Sequence, residues 1–239
     1  YENGGHISAY YPASNACYHA AKAAEAELNA AGIAAQRAFI PARALCIANG
    51  LGRQGKNGLL SIAPYGTRIA LETMIIYSPA EPDVFLPSDA DVCPEGCTAC
   101  MAACPMGAIT KDGLNVKRCM RYIMNAGYTD EIRQKQQTFL GCEICQAVCP
   151  KNAGLKKHPV PADMAAAFEL GRLIAGDAKA ARIIAGKNIT GNGRLTTEAI
   201  AFAAREGQCG AEIRACLNSP FERVRDAAKW ALDRYFGGI

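Results

Sequence analysis

The hydrophobic pattern at the start of the chain predicts a helix. Alanines and a leucine recur at helical spacing between Ala13 and Ala31, and Gly32 follows as a natural C-terminal stop. The run from Ala34 to Ile40 has the character of a short strand. Pro41 then suits the first turn of a second helix, which we expect to end near Asn49.

The next segment is rich in glycine and then in apolar residues. Residues 50–58 hold four glycines in nine positions. Leu59–Ala63 and Thr67–Tyr77 have strand-like composition, and the Pro64-Tyr65-Gly66 sequence between them predicts a hairpin. Residues 79–92 carry three prolines among acidic side chains, which is typical of a linker.

The carboxy-terminal part returns to helical spacing from Pro161 onwards. The last segment resembles a helix of a HEAT-type repeat, and two or so such helical hairpins would stack as a small solenoid. The predicted helices cover residues 163–175, 178–186, 194–206, 209–217 and 220–236.

Eight cysteines form two runs of similar spacing. They are Cys93-x3-Cys97-x2-Cys100-x3-Cys104-Pro105, and Cys119 followed by Cys142-x2-Cys145-x3-Cys149-Pro150. In two-cluster ferredoxins a tight loop supplies three thiolates to one [4Fe-4S] cluster, and the cysteine before the proline ligates the other cluster. This rule assigns cluster I to Cys93, Cys97, Cys100 and Cys149, and cluster II to Cys104, Cys119, Cys142 and Cys145.

The spacing departs from that of a ferredoxin at two positions. The first gap is x3 instead of x2, and Gly96 inside it can widen the loop because glycine tolerates a positive φ. Cys119 lies 23 residues before Cys142, so tertiary packing must bring it to the cluster. Structural zinc is a competing interpretation, since each C-x2-C pair resembles half of a four-cysteine site. Zinc would leave half of the eight cysteines unused, and disulfides fit this spacing less well still.

The length and the charge of the chain limit the classes of protein to which it can belong. The 239 residues suit one large domain or two small ones, and 50% of them are hydrophobic. The chain has no long uninterrupted apolar stretch and starts without the features of a signal peptide. We therefore expect a cytoplasmic protein with no membrane partner. The net charge is +4, and the basic excess lies in residues 151–239, which permits but does not require contact with RNA.

The glycine-rich loop matches two nucleotide-binding patterns only in part. Gly50-x-Gly52-x-x-Gly55 has the letters of the dinucleotide fingerprint, but it follows a helix-like segment and opens a strand pair, the reverse of the usual order. Gly50-x4-Gly55-Lys56 approaches a phosphate loop, but Asn57 replaces the Ser or Thr that would hold magnesium. A tight connection with glycines at positive φ and a loop shaped for another cofactor are the remaining interpretations.

The motifs taken in order resemble the epoxyqueuosine reductase family over roughly residues 35–239. They are Leu51-Gly52-x-x-Gly55-Lys56-Asn57-x-Leu59-Leu60, the cysteine motifs with Arg118-Cys119 and Gly141-Cys142-x-x-Cys145-Gln146-x-Val148-Cys149-Pro150-x-Asn152, and the HEAT-like tail. That family resembles the reductive dehalogenases in carrying two [4Fe-4S] clusters beside a cobalamin. The resemblance implies both kinds of cofactor here, with cofactor-binding roles for Gly52, Arg53, Gly55, Lys56 and Asn57.

One feature of the family is missing from this sequence. In the family, a segment just before the glycine loop carries an aspartate proposed as the proton donor. Counting back from the loop places that position near Gln36, and no Asp or Glu occurs between Leu28 and Glu72. A neutral amide cannot act as a general acid. The family's amino-terminal region is also longer than the segment that precedes the loop here, so the chain resembles the electron-transfer half of the enzyme.

Together these features predict an α+β protein in three parts. We expect a truncated α/β region with a small sheet and the glycine-rich loop at residues 1–85, a ferredoxin-like double-cluster module at 86–155 and a HEAT-like helical region at 156–239. The expected function is to pass single electrons from a low-potential donor of the ferredoxin or flavodoxin type, through both clusters, to a corrinoid or other acceptor. The alternatives are an electron carrier or activator without its own substrate, and an RNA-binding module, with tRNA as a candidate partner, whose clusters are structural.

Overall fold

The computed structural model describes residues 7–78 and 93–238, except for the side chains at positions 125 and 126. The predicted linker at 79–92 lies outside the described residues. The described part is a helix-rich mixed fold with short strands, which agrees with the predicted class at that level. Its strands form three separate two-stranded sheets instead of the single small sheet that we expected. The ferredoxin-like and HEAT-like descriptions stay predictions.

The described residues form two compact units. The amino-terminal unit contains the described residues of Pro12–Asn115 together with Ile144–Lys156. The carboxy-terminal unit contains the described residues up to Tyr11, Val116–Glu143 and the described residues from Lys157 onwards. The cysteine-rich segment is therefore divided between the two units. The predicted division at residues 85 and 155 stays a prediction.

Two helices open the structure, as predicted. Helix α1 spans Tyr10–Ala30, and Gly32 follows it with a φ of +80°. The Asn29 side-chain amide donates to the carbonyl of Ala35 at 2.8 Å, which fixes the path of the chain into the first strand. Helix α2 spans Ala42–Ala48 directly after Pro41.

The strands of the amino-terminal unit are two or three residues long. In each pair the two strands run antiparallel. Strand β1 (Ala35–Arg37) pairs with β4 (Met74–Ile76), β2 (Arg53–Gln54) with β3 (Leu60–Ser61), and β5 (Ile109–Thr110) with β6 (Gly113–Leu114).

The predicted hairpin between residues 59–63 and 67–77 is wrong. Strand β3 pairs with the glycine-rich loop through β2, and across the turn only an isolated bridge forms between Ile62 and Gly66. The backbone after the turn is engaged elsewhere, because the Thr67 N–H donates to Asn152 Oδ1 at 2.9 Å. The segment after the turn is thus tied to the end of the second cysteine run, and the later strand, Met74–Ile76, pairs with β1.

Two short helices of the amino-terminal unit, α3 (Ala99–Ala103) and α6 (Ile144–Ala147), pack against each other. The carboxy-terminal unit holds α4 (Met120–Ala126) and α5 (Asp130–Lys135). Thr129 begins α5, since its hydroxyl accepts from the Ile132 N–H at 3.4 Å. The cysteine-rich segment is thus built from helices of four to seven residues, the β5–β6 pair and loops.

The remaining helices form the core of the carboxy-terminal unit. The predicted helix at 163–175 is divided, because the Glu169 carboxylate accepts from the backbone N–H groups of Gly171 and Arg172 and starts a new helix there. Among the described helices, none has the length and apolar character needed to cross a membrane. The helices are α7 (Ala162–Ala167), α8 (Leu170–Ile174), α9 (Lys179–Ala185), α10 (Arg194–Arg205), α11 (Gly210–Ala215) and α12 (Glu222–Tyr235).

Helix α10 is the centre of this core. It packs against α8 and α12, and nine of its twelve residues are buried. Phe139 packs against Phe202 of α10 with ring centroids 6.0 Å apart, and both rings belong to the buried cluster. The segment before Gly141 is therefore anchored by the hydrophobic core of its own unit.

Candidate metal centre

A pocket in the amino-terminal unit is lined by all four cysteines assigned to cluster I, namely Cys93, Cys97, Cys100 and Cys149. Their role as ligands stays a prediction, but the structure places the four side chains around one space. The rest of the lining includes three residues of the glycine-rich loop, and Ser61 and Thr67.

The first three cysteines are positioned by a turn that leads into a helix. The Cys97 N–H donates to the Pro94 carbonyl at 3.1 Å, and Gly96 between them has a φ of +67°. The predicted wider loop with a positive φ at Gly96 is therefore present. Helix α3 starts two residues after Cys97 and carries the buried Cys100 in its first turn.

Cys149 reaches the same pocket from a distant part of the sequence. It follows α6, where its N–H donates to the Gln146 carbonyl at 3.3 Å. Because α6 packs on α3, the end of the second cysteine run lies beside the first run. This placement is the one that the crossing rule of two-cluster ferredoxins requires for cluster I.

The chemistry of these donors fits an iron-sulfur cluster. Burial raises the pKa of the Cys100 thiol, and the nearby Cys93 thiol raises it further, with smaller contributions from Cys97 and Cys149. Thiolates that repel one another in a buried space need bound cations to stay deprotonated. Four thiols also match the ligand number of a [4Fe-4S] cubane. The residues present therefore fit one such cluster.

The glycine-rich loop lies against the pocket. The Lys56 ammonium donates to the Cys97 carbonyl at 2.7 Å, and Asn57 is buried, with its Oδ1 accepting from the Leu59 N–H at 3.1 Å. Arg43 of α2 holds the far end of the loop by donating to the Gly58 carbonyl at 2.5 Å. Of the five residues predicted to bind a cofactor, Gly55, Lys56 and Asn57 line the pocket with the thiols.

Gly52 and Arg53 have other surroundings. A Cβ atom on Gly52 would lie 2.3 Å from the backbone oxygen of Ser61, so glycine there allows β2 to approach β3. Arg53 is exposed on β2. Neither residue lines the pocket, and their predicted cofactor role stays a prediction.

The loop also departs from a nucleotide site in its secondary structure. It follows α2 and leads into β2 and β3, so no helix starts at its end. This agrees with the reversed order inferred from the sequence. The helix amino terminus that binds phosphate in dinucleotide folds and phosphate loops is absent here.

Two hydroxyl residues that line this pocket, Ser61 and Thr67, were missed by sequence reasoning. Asn152 connects Thr67 to the segment that carries the second cysteine run, with its Nδ2 donating to Thr67 Oγ1 at 2.9 Å and to the Gln146 carbonyl at 2.8 Å. Ser61 and Thr67 sit in segments that gave only strand signals. Asn152 belongs to the motif that carries the family resemblance, where it follows the second Cys-Pro pair by two residues.

The four cysteines predicted for cluster II are divided between the two units. Cys104 and Cys145 belong to the amino-terminal unit, and Cys119 and Cys142 to the carboxy-terminal unit. Two of these cysteines lie at the ends of helices. Cys104 ends α3 and its Sγ accepts from the Ala108 N–H at 3.3 Å, whereas Cys119 directly precedes α4. The assignment of cluster II stays a prediction.

Comparisons with known proteins find matches to the cysteine-rich segment and to the chain around it. Residues 91–152 match the family described as a 4Fe-4S double cluster binding domain. Epoxyqueuosine reductase of Bacillus subtilis (strain 168) is 39% identical over 123 residues, which cover 50% of this chain and 31% of that protein. The same enzyme of Lactococcus garvieae (strain Lg2) is 38% identical over 113 residues, covering 46% and 31%.

A solved structure of the same enzyme resembles this chain over a larger share of its length. The crystal structure of an epoxyqueuosine reductase with an epoxyqueuosine-modified stem loop of a tyrosine tRNA superposes with a TM-score of 0.72 at 26% identity. The superposition covers 92% of this chain and 62% of that one. The resemblance to epoxyqueuosine reductase is therefore confirmed, and the matched segment covers 31% of the length of each of these two curated relatives.

Proposed function

We propose that this chain is an iron-sulfur reductase, or the electron-transfer half of one, that passes single electrons through two [4Fe-4S] clusters. The observation that carries this proposal is the pocket where Cys149 joins Cys93, Cys97 and Cys100. The match of residues 91–152 to a double-cluster domain supports it independently. A low-potential donor of the ferredoxin or flavodoxin type in the cytoplasm would supply the electrons.

The proposed acceptor is a corrinoid or another group close to the glycine-rich loop. Lys56 links this loop to the Cys97 backbone, so an acceptor held by the loop would lie near cluster I. A cobalamin there would supply a reducible cobalt for two-step reduction of a substrate. The exposed guanidinium of Arg53 is the group of the loop best placed to meet its amides or phosphate, because it is turned to solvent.

An electron carrier without its own substrate is the second candidate. The position expected for the proton donor falls at Gln36, which is exposed on β1 and paired with Ile75. Its amide has no acidic proton to give. A partner enzyme would then supply both the acid and the substrate pocket.

A tRNA is the proposed macromolecular partner. The solved relative that superposes on 92% of the chain was crystallised with a tRNA stem loop. Residues 151–239 of this chain carry 14 Lys and Arg against 9 Asp and Glu, and a basic surface attracts a phosphate backbone. Affinity for such a stem loop that falls steeply with salt would establish this partner.

Reconstitution tests the two-cluster proposal directly. After anaerobic reconstitution we expect about eight iron and eight sulfide per chain, because eight thiolates supply two cubanes. The measurement is chemical analysis of iron and sulfide together with the reduced-state EPR spectrum. Stoichiometric zinc without sulfide, or iron sufficient for one cubane alone, would contradict the proposal.

Cobalamin titration separates the reductase from the carrier. We expect cobalamin to change its absorbance spectrum on binding to the wild-type protein, and Arg53→Ala to weaken this binding about tenfold, the value of one lost charge-assisted hydrogen bond. Arg53 is the residue to replace because it lies outside the cysteine pocket, so the iron content should not change.

The matched control is Lys111→Ala, which removes an exposed cation from the β5–β6 turn of the same unit. It should bind cobalamin like the wild type. If the wild type itself leaves the cobalamin spectrum unchanged, the carrier function replaces the reductase.

A further inference from the structure

Ser61 is a buried donor without a partner at the wall of the cysteine pocket. Its residue is 2% exposed, and its hydroxyl has no hydrogen-bond partner among the described residues. Buried hydroxyls are normally paired, because an unpaired one has given up its hydrogen bonds to water without a replacement. Ser61 and all four candidate cluster I cysteines line the same pocket.

The other hydroxyl side chain that lines the pocket, that of Thr67, is hydrogen-bonded. Thr67 also lines the pocket, but its Oγ1 donates to Gln146 Oε1 at 3.3 Å and accepts from Asn152 Nδ2 at 2.9 Å. The Lys56 ammonium is likewise engaged by the Cys97 carbonyl. Ser61 is therefore the lining hydroxyl whose proton is uncommitted within the described residues.

The position of Ser61 is fixed by its backbone. It lies in β3, where it pairs with Arg53, and the close approach of Gly52 to the Ser61 carbonyl leaves this strand little freedom. A rotating hydroxyl on a fixed backbone can turn its proton towards a group that enters the pocket. Sulfur atoms of a cluster, which carry partial negative charge, are acceptors of this kind.

We propose that the Ser61 hydroxyl donates a hydrogen bond to a sulfur of cluster I and thereby raises the reduction potential of that cluster. This inference rests on the proposed function, since it requires a cluster held by the four cysteines. Ser61 acts as a tuning residue of the electron-transfer path and forms no bond to iron.

The redox step is a one-electron exchange. An external reductant, dithionite in the experiment below, gives one electron to [4Fe-4S]²⁺, which becomes [4Fe-4S]⁺, and no covalent bond forms or breaks. The added negative charge is shared by the sulfurs, so a hydrogen bond to sulfur is stronger in the reduced cluster. The donor therefore stabilises the reduced state and makes the potential less negative.

An EPR-monitored redox titration of the reconstituted protein tests this. For Ser61→Ala we expect the equilibrium constant for reduction of one cluster to fall about threefold to tenfold, a negative shift of up to about 59 mV for one electron. The second cluster should keep its potential. Ser61→Thr retains the hydroxyl and should restore the wild-type value, and Ser219→Ala, which changes a half-buried serine of the carboxy-terminal unit, should have no effect.

Two further results are decisive. Unchanged potentials in Ser61→Ala with full iron content, or equal shifts of both clusters, would overturn the role of Ser61 while leaving the two-cluster function intact. If Ser61→Ala fails to assemble clusters, electron-nuclear double resonance of the reduced wild type in H2O and D2O replaces it. An exchangeable proton coupled to cluster I is expected in addition to those of backbone N–H groups, such as the Ala108 N–H at Cys104, and the lack of such a proton refutes the hydrogen bond.

Discussion

Replacing Cys149 with alanine is expected to remove cluster I and about half of the bound iron, although Cys149 belongs to the second cysteine run. The reason is its position in the pocket with Cys93, Cys97 and Cys100. Loss of one thiolate leaves an iron of the cubane without its protein ligand. Iron analysis and EPR of the reduced variant measure the effect, and the spectrum that survives should be that of cluster II.

The reciprocal variant and a control complete this test. Cys104→Ala is expected to damage cluster II and spare cluster I, because the cysteine before the proline crosses over. Cys216→Ala should keep the full iron content, since Cys216 packs in the core of the carboxy-terminal unit. Loss of the same cluster from Cys149→Ala and Cys104→Ala would refute the crossed assignment.

A pH-dependent loss of stability is expected from Glu198 in the carboxy-terminal unit. Burial in α10 raises the pKa of this carboxyl from 4.5 to about 7, and Arg194, which donates to Oε1 at 2.8 Å, opposes the shift only in part. The other carboxylate oxygen has no partner among the described residues. The folded protein therefore holds a proton that the unfolded chain releases near pH 4.5.

The direction in which the free energy of unfolding changes with pH follows from proton linkage. Between about pH 4.5 and 7 the folded state binds more protons, so the free energy of unfolding falls as the pH rises, by up to about 3 kcal/mol for a shift of this size. Above pH 7 both states are ionised and the loss is constant. Glu198→Gln removes the titration while its amide oxygen can still accept from Arg194, so this slope should disappear.

Urea unfolding between pH 5 and pH 8, followed by the fluorescence of Trp230, measures this difference. Trp230 is the single tryptophan and lies in α12, which packs on α10. At each pH the wild type is compared with Glu198→Gln, so contributions common to both proteins cancel. Glu131→Gln, an exposed carboxylate paired with Lys135, is the control and should keep the wild-type slope. Equal slopes for wild type and Glu198→Gln would show that Glu198 is ionised in the folded protein.

The sequence by itself determined the elements and groups whose signals are local. Helices α1 and α2 lie where the apolar spacing and Pro41 predicted them, because helix starts and stops depend on neighbouring residues. The turn before Cys97 has the positive φ expected at Gly96. The cysteine spacing predicted an iron-sulfur ligand set for the same reason, since most of each ligand loop is contiguous.

Only the tertiary structure decided the features that depend on distant pairs. The partner of β3 was one of these, since β3 pairs with β2 of the glycine-rich loop and the segment after the turn is held by Asn152 instead. The pairing of strands this short depends on which segments pack beside them, because their residues alone carry little preference for one partner. The wall of the cysteine pocket and the burial of Glu198 likewise arise where separate segments pack, so Ser61 and Glu198 carried no signal in the sequence.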